Sequence, residues 1–336
     1  MTKQPLLGSW IRRFIVEYLP TDRNLALNTQ HSYRDMFCLL IPFLSETLKR
    51  PIDKIAVTEL SAVVVRAFML YLRDVRKCKT VSCNQRLAAI HAFAHFVGRN
   101  SPEHVEWCRE LRDVPFKRYA RTLIEYLEKP EMDALLAATD QRSLAGQRDY
   151  ALLLFLYNSG ARANEAAELK VSDLHYTRKK WDDAFVEIHG KGGKTRRCPL
   201  WPLTARTLDI LVGDRAPEEH VFLNRLHEPI KRCGIWCCVK RHAKTAAAAM
   251  PSIATKQVSP HVIRHSTASH LLRAGVDINT IRDWLGHVEL STTYIYTQID
   301  LEMKAKALAK CEVTEEKPSG KRWRDQISLM EFLRKL

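Results

Sequence analysis

The residues best suited to chemistry lie in one stretch of the chain, residues 259–300. His261 and Arg264 are three residues apart, so on a helix they share one face. His287 follows the glycine at 286, and Tyr296 comes nine residues after that histidine. Two imidazoles, a guanidinium and a phenol therefore come from adjoining elements, and we expect them to meet in one site.

This set of residue types suits attack on a phosphodiester. A tyrosine hydroxyl, whose pKa is normally about 10, is a weak nucleophile unless a base and positive charge assist it. The reaction builds negative charge on the phosphate oxygens, and the planar fork of an arginine can bind two of them. Arg162, just after Gly160, supplies a second guanidinium, and Lys191 in the loop GKGGK can protonate a leaving group.

Local signals predict the elements that hold these side chains. Ser259 and Pro260 start a helix that Gly275 ends, and a second helix over 278–285 stops at Gly286. A buried helix covers residues 150–156 and leads to Gly160. Residues 185–189 alternate in polarity and pair with 196–200 across the glycine-rich turn.

The first hundred residues predict a small helical bundle. Asn28, Ser61 and Ser82 are candidate helix starts. The apolar residues that follow recur every three or four positions, which is typical of one buried stripe per helix. The stripes are Tyr33, Phe37, Leu40 and Leu44; Val64, Phe68 and Leu72; and Leu87, Ile90, Phe93 and Val97.

Basic residues form a candidate DNA-facing surface. Their positive charge suits a phosphate backbone, although each alone is equally compatible with a solvated surface. The set comprises Arg73, Arg76, Lys77, Lys79, Arg86, Lys117, Arg118, Arg121, Lys194 and Arg196.

The fold class expected is mainly α (α+β). We assign residues 1–108 to an N-terminal helical bundle, 109–126 to a linker, and 127–310 to a mostly helical domain with a small antiparallel β-sheet. Residues 311–336 form a polar break and a last amphipathic helix from 323 to 336. No internal repeat is visible.

Composition limits the function classes. An apolar share of 46% with 27% charged residues indicates a globular protein. The 53 Lys and Arg against 38 Asp and Glu leave a net charge of +15, which favours a polyanionic partner. The longest strongly apolar run, residues 150–157, is far shorter than the roughly 18 residues of a membrane span, and no signal peptide is apparent. We therefore expect a cytoplasmic protein with no membrane association.

The nine cysteines are irregularly spaced and are expected to be reduced thiols. Cys233, Cys237 and Cys238 cluster, but no CxxC pair recurs and no histidine stands at zinc-finger spacing. We expect neither a metal site nor a cofactor.

Four motifs together resemble the tyrosine recombinase, or phage integrase, family, and its Xer-like and transposon-borne members in particular. They occur in the family's order and spacing over residues 127–310. The motifs are LLLFLYNSGARANEAAELKVSDL, HGKGGKTRRCPL, SPHVIRHSTASHLLRAG and LGHVELSTTYIYTQI. The helical N-terminal part resembles the family's SAM-like DNA-clamping domain more loosely.

The resemblance implies a role for each matching residue. Tyr296 attacks the scissile phosphate to form a 3′-phosphotyrosyl link, while Arg162 and Arg264 bind the non-bridging oxygens. Lys191 protonates the leaving 5′-oxygen, His261 assists proton removal from the tyrosine, and His287 hydrogen-bonds the phosphate. Glu165 has a supporting role in orienting the arginines. No cofactor is implied, because the phosphotyrosyl ester conserves the energy of the broken bond.

Some positions depart from the family's pattern. Ala161 stands where a larger aliphatic residue is usual, and Asn164 where a small hydroxyl residue is common. Tyr294 is a rival nucleophile, but two residues on a helix place it about 200° from Tyr296. The spacing from His287 favours Tyr296.

The resemblance implies a double-stranded DNA partner, a homotetramer on paired DNA sites, and a nucleoid-associated enzyme of mobile-element integration or excision. Three alternatives stay open at this point. They are chromosome-dimer resolution by the same chemistry, type IB topoisomerase-like nicking and closing, and a catalytically silent DNA-binding protein. The C-terminal helix can dock on its own domain or on a neighbouring protomer.

Overall fold

A computed structural model describes residues 6–119, 125–177, 180–190 and 193–286, with 331, 333 and 334. The chain divides into two compact units between Thr122 and Leu123. The described residues are mostly helical with one small antiparallel sheet, which confirms the expected fold class. Four predicted residues lie outside the described ones: Arg121, Lys191, His287 and Tyr296.

The first unit is a bundle of helices. Its α-helices are α1 (Leu7–Arg13), α2 (Leu27–Leu48), α3 (Ala62–Asp74), α4 (Thr80–Asn100) and α5 (Val105–Arg112). A π-helical stretch, Phe14–Asp22, continues α1. Ser61 caps α3 as predicted, by accepting a hydrogen bond from the Val64 amide. Asn28 and Ser82 lie inside their helices, which begin one and two residues earlier.

Most residues of the predicted apolar stripes are buried in the core of this unit, while Tyr33 and Val64 are partly buried and pack against it. Phe37, Leu40, Phe68 and Phe93 are each no more than 1% exposed. Phe14, from the π-helical stretch, packs edge-to-face on Phe37 and Phe93 with ring centroids 6.1 and 5.5 Å away. Such aromatic contacts add to the free energy of apolar burial. The bundle therefore has a continuous core of its own.

The segment expected as a linker, residues 109–126, begins inside this bundle. Helix α5 continues to Arg112, and Leu111 and Val114 are buried in the first core. The sequence alone suggested a charged segment poor in core residues. Its few apolar residues nevertheless fall on the buried face, so residues 109–114 belong to the first unit.

The second unit combines helices with a three-stranded antiparallel sheet. The strands are β1 (Leu174–Thr177), β2 (Lys180–His189) and β3 (Thr195–Pro199), in the order β1-β2-β3. The helices are α6 (Lys129–Ala137), α7 (Leu144–Ser159), α8 (Ala163–Ala167), α9 (Pro202–Val212), α10 (Arg232–Ala249), α11 (Pro260–Arg273) and α12 (Ile278–Leu285). β2 and β3 form the predicted hairpin, whereas β1 was not predicted.

Helix α7 is the central element of this unit. Every residue from Ala151 to Ser159 is buried, as expected for the apolar run. Gly160 then ends the helix in the left-handed conformation, with φ of 59°. Gly160 thus ends α7 two residues before Arg162, which is the N-cap residue of α8.

No helix among the described residues is long and apolar enough to cross a membrane. The predicted last helix, residues 323–336, lies outside the described residues except at 331, 333 and 334, which are helical.

Candidate active site

Three of the predicted site residues line one cleft in the second unit. Arg162 comes from the start of α8, and His261 and Arg264 come from the first turns of α11. The cleft has a volume of about 830 Å³. Among the described residues that line it none is acidic, and Arg232 at the start of α10 adds another guanidinium. The cleft is thus a cationic site that suits a phosphate group.

Arg264 forms the floor of the cleft. It is 1% exposed, and its Nη1 and Nη2 donate hydrogen bonds to the carbonyl oxygens of Gly160 and Leu285 at 2.6 and 2.7 Å. These carbonyls belong to the C-terminal ends of α7 and α12, which carry partial negative charge. A guanidinium this deeply buried requires such acceptors. Its position is therefore set by two helix ends.

Arg162 lies on the wall of the cleft and is held by Glu165. The Arg162 Nη1 donates to Glu165 Oε1 at 2.7 Å, and the backbone amide of Arg162 donates to Oε2 at 2.9 Å. The Arg162 side chain is 42% exposed, whereas that of Glu165 is 5% exposed. A buried carboxylate thus holds an arginine whose outer surface stays exposed.

Arg196 is the second partner of Glu165. Its Nη2 donates to Glu165 Oε2 at 2.7 Å, and its Nε donates to the Trp284 carbonyl oxygen at 2.9 Å. Its side chain is only 10% exposed. Burial alone would raise the pKa of Glu165, but the hydrogen bonds and charges of Arg196 and Arg162 outweigh it and lower that pKa. Glu165 is therefore an ionised carboxylate between two guanidiniums.

Arg196 is among the candidate DNA contacts that the sequence predicts, but its side chain faces inward. β2 and β3 pair so that Val186 faces Cys198 and Ile188 faces Arg196. Because alternate residues of a strand share a face, Arg196 lies on the same face as the buried Cys198. That alternation was available in the sequence and would have identified Arg196 as inward-facing.

His261 stands at the open edge of the cleft. Ser259 caps α11 as predicted, and its side chain accepts a hydrogen bond from the Val262 amide at 3.3 Å. Loss of water around the imidazole lowers the pKa of His261, and the nearby charges of Arg264 and Arg162 lower it further. The ring also packs edge-to-face on His265, with centroids 4.3 Å apart. The neutral imidazole, the form that can accept a proton, is favoured.

Two glycines lie close to the side chains of this site. A Cβ on Gly286 would lie 3.1 Å from the Arg196 side chain, and a Cβ on Gly190 would lie 3.6 Å from Glu165 Oε1. Gly286, which has φ of 64°, ends α12 as predicted. The chain continues from Gly286 to His287 and from Gly190 to Lys191. Those residues and Tyr296 lie outside the described ones.

The cleft contains residues that sequence reasoning did not select. Trp236, Cys233 and Cys237 on α10 line it together with Arg232. Their recurrence at one-turn spacing marks a common helix face. Nothing local in the sequence shows that this face looks toward α8 and α11.

The other described candidate DNA contacts do not line the cleft. Arg73 is half exposed and pairs with Asp74, and Arg86 donates to the Ser82 carbonyl oxygen at 3.4 Å. The Lys117 backbone exchanges hydrogen bonds with the Asn84 side chain in both directions. The exposed members of the set are Arg73, Arg76, Lys77, Lys79, Lys117, Arg118 and Lys194. Exposed pairs contribute little stability, so the pairing with Asp74 holds Arg73 only weakly.

One group of described residues has metal-ligand character. Side-chain donor atoms of Asp149, Cys238 and His242 lie within 4.8 Å of one another. The Asp149 carboxylate, however, already accepts hydrogen bonds from Arg148 at 2.7 Å, His242 at 2.8 Å and Arg241. Two guanidiniums would repel a cation. We therefore interpret this group as a buried ion-pair network that ties α7 to α10.

Comparison with known proteins places the chain in a family. The model of the phage integrase family matches residues 125–303, more than half of the chain and the whole of the site described above. The chain belongs to the phage integrase family. This integrase is 34% identical over 338 residues to y4rC of Sinorhizobium fredii, described as an integrase/recombinase, and the match covers 100% of both chains. It is 30% identical to the tyrosine recombinase XerC of Roseiflexus sp., over 85% of this chain and 88% of that one.

Solved structures share the fold of the integrase. The XerH recombinase bound to its difH substrate matches with a TM-score of 0.63 and 19% identity, covering 86% of this chain and 81% of that one. A Tn1549 transposon integrase in complex with circular intermediate DNA matches with a TM-score of 0.67 and 13% identity, covering 90% and 98%. The family membership and the 30% identity to XerC show that the integrase is a tyrosine-type site-specific recombinase.

Proposed function

We propose that this integrase cuts and rejoins double-stranded DNA through a 3′-phosphotyrosyl intermediate on Tyr296, and that it integrates or excises a mobile element. The main support is the cleft in which Arg162, His261 and Arg264 meet without an acidic residue among its described lining. A scissile phosphate fits this site because the guanidiniums of Arg162 on α8 and Arg264 on α11 can bind its oxygens.

The proposed reaction divides the work among these residues. The Tyr296 oxygen attacks phosphorus, its proton passes toward the neutral His261, and Arg162 and Arg264 stabilise the charge on the non-bridging oxygens. Lys191 donates a proton to the departing 5′-oxygen, and His287 hydrogen-bonds the phosphate. Lys191 follows Gly190 and His287 follows Gly286, and both glycines lie against the Glu165 and Arg196 network.

Removal of a preorganised donor tests this assignment. By analogy with oxyanion-hole donors, Arg162→Ala should lower the cleavage rate by about 100- to 1000-fold. Arg206→Ala is a matched control, because Arg206 is an exposed arginine on α9 that does not line the cleft. A loss of the same size in both variants would contradict the role of Arg162.

The nucleophile is tested with a nicked suicide duplex that carries a candidate site from the DNA flanking the gene. Cleavage traps the enzyme as a covalent adduct, which denaturing electrophoresis detects. The wild type and Tyr294→Phe should form the adduct, whereas Tyr296→Phe should not. An adduct with Tyr296→Phe would refute the assignment. Absence of cleavage by the wild type on any duplex would favour a silent DNA-binding protein.

We also propose that the active assembly is a homotetramer on two DNA sites, working on nucleoid DNA in the cytoplasm. The XerH and Tn1549 structures are complexes with DNA, which supports a DNA partner. Measurement of the mass of the DNA-bound complex separates this assembly from a topoisomerase-like monomer. A monomer that relaxes supercoiled plasmid without exchanging strands would overturn the proposal.

A further inference from the structure

Two thiols line the cleft beside the candidate catalytic residues. Cys233 and Cys237 are four residues apart on α10, so they share one face of the helix, and both are exposed. The same cleft is lined by Arg162 and His261. A group attached to either sulfur would therefore stand in the space that a DNA phosphate must enter.

The other cysteines of the described regions differ in accessibility. Cys83, Cys108, Cys198 and Cys238 are buried, and burial raises the pKa of Cys198 and of Cys238 to about 12. These buried thiols are inert because only the thiolate is nucleophilic. Besides the two cleft thiols, Cys38 in the first unit is exposed. It provides a natural control for nonspecific modification.

The charge of the cleft favours anionic reagents. Arg162, Arg232 and Arg264 line it, and none of its described lining residues is acidic. Positive charge in the cleft attracts anions. An anionic low-molecular-weight disulfide of the glutathione class is suited to this cleft in charge. Once glutathione is attached to a cleft thiol, its carboxylates would occupy the proposed phosphate site.

We propose that Cys233 and Cys237 form a thiol modification site that closes the cleft to DNA. A thiolate attacks one sulfur of the disulfide, a new protein–glutathione S–S bond forms, the old S–S bond breaks, and glutathione thiolate leaves. The disulfide is the only oxidant required, and excess thiol reverses the step. This inference rests on the proposed function, since the modification acts by excluding the scissile phosphate.

The first experiment treats the reduced full-length protein with oxidised glutathione and measures adduct formation on the suicide duplex. Modification should slow wild-type cleavage by about tenfold or more, because like charges placed together disfavour binding, and dithiothreitol should restore it. Cys233→Ser/Cys237→Ser, compared with its own reduced state, should be insensitive. Cys38→Ser should remain as sensitive as the wild type.

A second experiment does not depend on activity. Iodoacetamide labelling followed by peptide mass spectrometry compares thiol reactivity with and without bound duplex. DNA should protect Cys233 and Cys237 but not Cys38. Equal labelling of the cleft thiols with and without DNA would overturn the inference. Cleavage at the full rate by the glutathionylated wild type would also overturn it. So would a double variant whose cleavage oxidised glutathione slows as much as that of the wild type. Cleavage by the reduced, unmodified wild type reports separately on the proposed function.

Discussion

Replacement of Arg196 by methionine removes one of the two guanidiniums that hold Glu165. The Arg196 and Glu165 side chains are 10% and 5% exposed, so the pair is almost fully desolvated. Breaking a buried pair by removing one partner costs roughly 3–5 kcal/mol. Because Arg162 still binds Glu165, we take the lower end, about 3 kcal/mol.

This cost can be measured as a melting temperature. For a domain of 150–250 residues, 1 kcal/mol corresponds to about 2–4 °C, so Arg196→Met should lower the melting temperature of the second unit by about 6–12 °C. The matched control is Arg197→Met on the same strand. Arg197 pairs with Glu187, but these side chains are 73% and 26% exposed. An exposed pair contributes about 0–1 kcal/mol, so the control should shift by less than about 4 °C.

The Arg196 variant should also cleave the suicide duplex more slowly at a temperature where it is fully folded. The reason is that Arg196 holds the Trp284 carbonyl, and through Glu165 it acts on Arg162. A further Glu165→Gln change should cost less in the Arg196→Met background than in the wild type, because the two residues share one interaction. Equal melting temperatures for Arg196→Met and Arg197→Met would refute this reasoning.

Three other predictions concern the same unit. Although burial opposes it, hydrogen bonds from His242 and Arg148 hold the pKa of Asp149 below its ordinary value. Asp149→Asn should therefore lower the melting temperature at neutral pH. The difference in melting temperature from the wild type should shrink as pH falls below about 4, because the wild-type carboxylate then becomes protonated. A difference that stays constant with pH would contradict this. The lowered pKa of His261 should keep single-turnover cleavage on its plateau until pH falls below about 6.5, and an acidic limb centred higher would argue against it as the base. Gly160→Ala should lower both the melting temperature and the cleavage rate more than Gly275→Ala does. Both glycines have positive φ, but only at Gly160 would an added Cβ meet a neighbour, the Leu285 side chain at 2.6 Å. Equal decreases in the two variants would exclude a contribution from this contact.

Local signals were sufficient for the elements that hold His261 and Arg264. Ser259 and Pro260 begin α11, and Gly286 ends α12, as the sequence indicated. These residues act through their own backbone geometry and nearest neighbours, so no tertiary information is needed. Asn28 instead lies one residue inside its helix, whose N-cap is Ala26, so the preference of asparagine for the N-cap did not decide that boundary.

The surroundings of the site were harder to foresee. The alternation of residues along the strand places Arg196 on the inward face. A charged side chain is nevertheless ordinarily assigned to the surface. Its partner Glu165 is also 31 residues away in sequence, so no local pattern pairs the two. The place of Trp236 and Cys233 in the cleft depends on how α10 packs against α8 and α11. That packing depends on contacts between residues far apart in sequence, and a local sequence pattern does not predict such contacts.

The anchoring of Arg264 has a consequence for how this site is inherited. Two of its acceptors are the carbonyls at positions 160 and 285, and every amino acid carries a carbonyl. Drift in the side chain at position 285 therefore leaves the acceptor in place, provided that the helix still ends there. A guanidinium anchored to main-chain oxygens thus keeps these two acceptors when the side chains of the residues that carry them change.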